Sequence, residues 1–349
     1  MMALGSAVAA AMVMLAGLPG AAWAQSDWTL LDPSPTANPL NSVIWAGSQW
    51  VAVGFSGTVL TSPDGLVWTN RPSGSLDDLF SVTWTGKLLI AAGSAGSGHP
   101  DGAILTSPDG ITWTERRPGT TLPLNSVIWT GNALVAVGYA GAILTSPDGI
   151  AWSPQSSGRS DDLFAVTWTG TRLVAVGDSG LIFTSQDGAA WSAQQTADGL
   201  RAVTWTGSQL AAAGENGTLL TSPDGLRWTP RYSGTENSIS SVAGSGNRWV
   251  AVGISGTLLA SSDGSTWTVG NPGTGQWLTS VAGAENRWVA VGYAGTILTS
   301  TMDGSDGILR RFPIGPGGTP HVTPDGPRFY SIDGATIRST FIPVNSVSR

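Results

Sequence analysis

One phrase is written seven times along this chain, and its last copy is cut short. The phrase is a valine-rich run, a glycine turn, a second apolar run, then Ser-Pro-Asp-Gly-x-x-Trp-Thr. It stands intact at Ser62–Thr69, Ser107–Thr114 and Ser222–Thr229. Close variants occupy Ser146–Ser153, Ser185–Ser192 and Ser261–Thr268. The seventh, Ser300-Thr301-Met302-Asp303-Gly304, lacks the following Trp-Thr, and an orphan Trp28-Thr29 sits near the start instead. The motif aspartates recur at about forty residues, the period of a four-stranded β unit rather than a helical pair. Pro and Gly interrupt every candidate helical window.

Each repeat divides into four short strands. The first reads Asn41-Ser42-Val43-Ile44-Trp45, and the second Trp50-Val51-Ala52-Val53-Gly54. A glycine turn leads to a third such as Thr58–Thr61, and the Asp-Gly turn leads to a fourth that opens on Trp-Thr. Short runs of Val, Ile, Leu, Thr and Trp between Gly and Asp-Gly are strand and hairpin signals. Trp113 leads through a loop to Leu124-Asn125-Ser126-Val127-Ile128-Trp129, and Trp28 leads likewise to Leu40-Asn41-Ser42-Val43-Ile44-Trp45. The register matches, so Trp28-Thr29 is predicted to supply the fourth strand that the seventh repeat lacks. The fold expected over residues 25–304 is all-β: a seven-bladed β-propeller closed by an N-terminal strand completing the last blade. Closure of this kind removes the exposed edges that an open array would leave.

Residues 1–24 read as an export signal. They carry no charged side chain, contain an apolar run from Ala7 to Ala16, and end on Ala22-Trp23-Ala24, a small-x-small cleavage pattern. The competing membrane-anchor reading needs a longer span and a basic flank. No later stretch is apolar enough to span a membrane, and with no cysteine there are no disulfides or thiolate metal sites. An exported, periplasmic or secreted bacterial protein is expected. The formal net charge is −7 and Lys87 is the only lysine, which disfavours a nucleic-acid partner. Residues 305–349 form a separate Pro/Gly-rich extension that turns strand-like at Phe329–Ile332 and Ala335–Ile342.

The Ser-x-Asp-Gly-x-x-Trp phrase resembles the Asp-box (BNR) repeat of β-propellers, in a form one residue shorter than the common one. The resemblance covers about residues 27 to 304. It implies structural roles for Asp64 and Trp68, Asp109 and Trp113, Asp148 and Trp152, Asp187 and Trp191, Asp224 and Trp228, Asp263 and Trp267, and Asp303 with Trp28. The carboxylate and the Ser hydroxyl accept N–H bonds within their own turn, while the Trp pins the hairpin. One aspartate per blade cannot converge on one ion, so no metal is expected, and no cofactor either. Export, seven blades and short Asp-Gly turns also resemble the photosystem II stability/assembly-factor type of propeller. That likeness implies a binding platform.

Function is then expected in the loops the repeats do not share, on the face carrying the second-to-third and fourth-to-first connections. Candidate binding residues there are Arg71, Asp78, Arg116, Arg117, Tyr139, Arg159, Asp162, Asp178, Glu215, Arg231, Tyr232 and Tyr293. Tyr139, Tyr293 and Phe55 share one repeat position and suggest an aromatic collar. Arginines alternating with aspartates suit an anionic peptide or a glycan. The bland reading is that they pair with one another at about 0–1 kcal/mol each. No catalytic set is apparent. The only histidines are His99, near Asp101 in a Gly-rich insert, and His321. The expected function is a non-catalytic, monomeric scaffold for a protein or glycan. The alternative is a sialidase-like glycoside-processing enzyme using carboxylates on the loop face. Sialidases need three arginines, a Tyr–Glu pair and an acid, and this chain offers only Glu115, Glu215, Glu236 and Glu285 as glutamates.

Overall fold

The computed structural model describes residues 28–95 and 101–302, and the backbone of 322–323, 326–333 and 336–341. The predicted signal segment, His99, His321 and Asp303 lie outside the described residues.

Seven four-stranded antiparallel sheets follow one another along the chain. Blade 1 is Leu40–Trp45, Trp50–Gly54, Val59–Ser62 and Thr69–Arg71. The first strands of blades 2 to 7 are Asp78–Trp84, Leu124–Trp129, Leu163–Trp168, Leu200–Trp205, Ile239–Ser245 and Leu278–Ala284. Each packs beside the first strand of the next blade, and blade 7 packs beside blade 1, so the first strands form the inner wall of a ring. The fourth strand of blade 7 is Thr29–Leu30, with Thr29 opposite Thr299 and Leu30 opposite Leu298. Leu31 N–H extends that pairing to Ile297 O at 2.9 Å. The chain's start therefore completes the sheet begun near its end, as the displaced Trp-Thr predicts. The seventh Asp-Gly turn itself lies outside the described residues. Two strands beyond the ring, Gly326–Asp333 and Thr336–Phe341, pair as a hairpin.

The second strand shows why these sequences stack as blades. All five residues of Trp50–Gly54 are buried, because both sheet faces are covered. Side chains alternate along a strand. Trp50 and Ala52 accordingly enter the core shared with blade 7, while Val51 and Val53 enter the core shared with blade 2. Seven such clusters occupy the seven junctions. The seam across the chain ends joins Leu40, Val43 and Leu60 to Val289, Val291 and Ile297.

Indoles also alternate between strands. Trp84, Trp129, Trp168 and Trp205 end first strands and lie opposite a leucine. In blades 6 and 7 a glycine, Gly244 or Gly283, takes the place of that first-strand indole, and Trp249 or Trp288 lies opposite it. A Cβ on Gly283 would sit 2.6 Å from the Trp288 ring. One large ring fills the place in either arrangement. Blade 1 carries both, with Trp45 and Trp50 edge to face at 5.5 Å.

Candidate functional site

The repeated turns absorb their own polar groups. In blade 1 Ser62 Oγ accepts the Gly65 N–H at 2.8 Å and donates to Asp64 Oδ1 at 3.1 Å. Asp64 Oδ1 accepts the N–H groups of Leu66 and Val67 at 2.8 and 3.0 Å. Trp68 Nε1–H donates to Gly65 O at 3.1 Å. The same set recurs around Asp109, Asp148, Asp187, Asp224 and Asp263. Hydrogen bonds to the charged form stabilise it. Backbone N–H donors hold the Asp109, Asp148, Asp187, Asp224 and Asp263 carboxyls below the usual range. Burial pushes the Asp64 carboxyl up, but its four hydrogen bonds together win and it too is lowered. Among the described residues no group of three or more His, Asp or Glu is placed to hold a metal ion.

Antiparallel order puts the second-to-third turns and the fourth-to-first loops at one end of the ring, the loop face. Hydrogen bonds knit the two together: Phe55 N–H to Pro39 O at 3.0 Å, and Gly57 N–H to Asp77 O at 2.6 Å. The turns need a left-handed residue, Ser56 in blade 1 at φ 54°, followed by Gly57 at φ 66°. The residue before it, such as Phe55, Asp178, Glu215 or Tyr293, stands half-buried at the mouth of the ring.

That mouth is two-sided. Trp277 stacks on Tyr293 with centroids 4.8 Å apart and planes 10° apart. Tyr293 meets Phe55 edge-on at 6.4 Å, and Phe55 meets Phe80 edge-on at 6.2 Å. The four rings form a continuous arc over blades 7, 1 and 2. Trp277 keeps 41% of its surface exposed and is anchored by Nε1–H to Ser240 Oγ at 2.7 Å. Across the mouth, Arg201 lies 4.1 Å over the Phe164 ring and donates to Glu215 Oε1 at 2.6 Å. Burial pushes the Asp178 carboxyl up; Arg201 opposes this, and the charges of Asp162, Glu215 and Asp161 reinforce it.

The structure separates the sequence-predicted residues into groups. Tyr293, Asp178 and Glu215 line the mouth. Tyr139 holds the corresponding place in blade 3, exposed, with no ring contact to the arc, so the aromatics form an arc and not a collar. Arg71, Arg116 and Arg231 each donate from Nε to a third-strand threonine, Thr61, Thr106 and Thr221, at 2.8, 3.0 and 2.8 Å. Gln155 does the same to Thr145 at 3.0 Å. Asp78 and Asp162 cap the left-handed residue of the preceding blade, accepting Ser56 N–H at 2.9 Å and Ala140 N–H at 2.8 Å. Arg159 pairs with Asp161 at 2.6 Å within its own loop. Arg117 borders a groove of ≈ 660 Å³ with Arg116, Glu115 and Asp101. Tyr232, 86% exposed, borders another of ≈ 600 Å³ with Asp198, Trp228 and Glu236. Phe80, Phe164 and Arg201 are mouth residues that sequence reasoning did not single out. Their signal is that they replace the Asn of the Leu-Asn-Ser-Val phrase.

Solved structures supply the comparison. YCF48 from Cyanidioschyzon merolae superposes with a TM-score of 0.64 at 19% identity, over 80% of this chain and 100% of that one. This is the fold of YCF48. A complex of YCF48 bound to a D1 peptide gives a TM-score of 0.65 at 20% identity, covering 79% and 97%. The WD40 β-propeller domain of Doa1 gives 0.62 at 16% identity, covering 81% and 98%. At these identities the likeness is one of fold. No family model matches the chain, and no curated protein matches it.

Proposed function

We propose that the protein is an exported, non-catalytic scaffold of the Asp-box propeller type that binds an extended protein segment at its loop face. The observation that carries this is the arc Trp277–Tyr293–Phe55–Phe80, held half-open beside the channel and facing the Arg201–Glu215 pair. Aromatic rings at a rim offer a large apolar area at low entropic cost, and such residues dominate binding hot spots. The fold is shared with a propeller that binds a peptide. The carboxylates whose charges act on Asp178 speak for the glycoside-processing alternative. Against it, Glu215 is already engaged by Arg201.

Selection from a displayed random-peptide library, followed by calorimetric titration of the selected peptides, tests the reading. Trp277→Ala lowers their affinity by about tenfold or more, the effect of removing a ring worth roughly 1.4 kcal/mol or more. Val67→Ala, on the opposite face, leaves it unchanged. Equal affinity for the wild type and Trp277→Ala refutes the reading. Binding of oligosaccharides alone assigns the arc to a glycan, and hydrolysis of sialosides lost in Glu215→Gln assigns the enzyme. Export is checked by the mass of the mature chain, expected to begin at Gln25.

A further inference from the structure

Six turns at the mouth are built alike, and the residue that opens each one is free to vary. Phe55 N–H bonds to Pro39 O, Tyr139 to Pro123, Asp178 to Asp162, Glu215 to Gly199, Ile254 to Ser238 and Tyr293 to Trp277, all at 2.9–3.1 Å. One backbone arrangement thus carries an aromatic, an aliphatic or an acidic side chain. The fold does not dictate which, so the choice at each blade is open to function.

Blades 4 and 5 place carboxylates there in succession. Glu215 is accounted for. It accepts from Arg201 at 2.6 Å, and the same guanidinium covers the Phe164 ring. Asp178 is not. Its half-buried carboxylate accepts no hydrogen bond among the described residues. Burial and the charges of Asp162, Glu215 and Asp161 all raise the cost of ionising it, and Arg201 opposes them. The mouth therefore holds one more carboxylate than Arg201 can pair. Other arginines of the loop face are held elsewhere: Arg71, Arg116 and Arg231 at third-strand threonines, and Arg159 at Asp161. An anionic segment would have to take Arg201 from Glu215 and would still meet Asp178. A cationic one meets a carboxylate with no hydrogen-bond partner. Charge complementarity reverses the sequence expectation of an anionic ligand.

We propose that the protein segment bound at the loop face presents a lysine or arginine to Asp178, while an apolar or aromatic side chain lies on the Trp277–Tyr293 stack. The proposal rests on the peptide-binding reading above and names the chemistry of the segment. The two anchors stand on opposite sides of the mouth, so a segment that crosses it meets both. The cation brings the donors that Asp178 lacks, at a place partly withdrawn from water, where charge-assisted bonds are stronger. Arg201 keeps Glu215 occupied, so one carboxylate rather than two faces the incoming charge. Acidic segments are rejected by like charge.

The test is a double-mutant cycle on library-selected peptides, restricted to those whose affinity falls in Trp277→Ala. Their sequences are expected to share a Lys or Arg at one position. Replacing that residue by Gln weakens binding to the wild type about tenfold or more. The same replacement changes binding to Asp178→Asn by less than about twofold. A role of Asp178 in the fold alone would not produce this coupling. Asp178→Asn is expected to melt at or above the wild-type temperature, since it removes a charge crowded by like charges. Asp178→Tyr, which copies the residue of blades 3 and 7 at this position, serves as a second variant and loses the preference in the same way. Selected peptides that share no basic residue, or an equal Gln penalty in the wild type and both variants, overturn the proposal and leave the aromatic arc as the site. A library that enriches no Trp277-dependent binder overturns both this inference and the peptide-binding reading.

Discussion

Replacing Trp28 measures how far the chain's first strand is an integral part of the ring. Trp28 packs with Met302 against the core shared by blades 6 and 7, in the way Trp113 packs against the core shared by blades 1 and 2. Truncating a fully buried tryptophan costs about 3–5 kcal/mol. Both rings are half-buried, so the packing loss for each is roughly 2–3 kcal/mol. Trp113 also gives up its Nε1–H bond to Gly110 O at 3.1 Å, a further ~1 kcal/mol. Trp28→Ala is therefore expected to cost at least roughly 2–3 kcal/mol from packing alone. At about 2–4 °C per kcal/mol for a domain of this order, Trp28→Ala lowers the midpoint by roughly 5–10 °C. Guanidinium titrations followed by circular dichroism, beside thermal melts, give both values. If Trp28→Ala melts with the wild type while Trp113→Ala does not, the N-terminal strand is an appendage and the closure argument fails.

Two further outcomes follow from the turns and the indoles. Six turn aspartates have carboxyls held below the ordinary value of 3.8. A lowered folded-state value contributes stability that is complete above the unfolded value and lost as pH falls through the folded one. Melting temperature should hold level from neutral pH to about pH 5 and drop below about pH 4. Asp178, raised by burial, acts in the opposite sense. A melting temperature that rises on acidification to pH 3 would contradict the assignment. Gly283→Ala forces a Cβ to 2.6 Å from the Trp288 ring, an overpacking cost of about 1–3 kcal/mol. The same change at Gly275, where a Cβ meets nothing within 4 Å and φ is not positive, costs little. Equal destabilisation of the two would show that the indole does not fill the glycine's place.

The ring and its closure could be read from the sequence because both are properties of repetition. A missing Trp-Thr at Ser300 and a spare one at Trp28 leave one arrangement that pairs every strand. The candidate site was harder to read, since a charged residue in a loop looks the same whether it faces a ligand or a neighbouring turn. Yet repetition held a signal there too. Arg71, Arg116, Arg231 and Gln155 each follow their threonine partner at one fixed spacing. Asp78 and Asp162 each follow the turn they cap at another. A residue that keeps step with the repeat answers to the fold. Tyr139 shares its repeat position with Phe55 and Tyr293, but position alone does not bring rings together. The arc needs Trp277 and Phe80, which arrive from loops and strands of neighbouring blades.

A closed ring of near-identical blades ties its inner edges together by copying one serine around the axis, and a departure leaves a main-chain N–H without that partner at a cost in stability. An unpaired buried donor or acceptor costs about 1–3 kcal/mol when nothing replaces its partner. One serine per junction would recover much of that, and five of the seven junctions carry it. The two departures, Ala165 and Ala202, lie in adjacent blades, and the residues beside them, Phe164 and Arg201, break the repeat at the very next position.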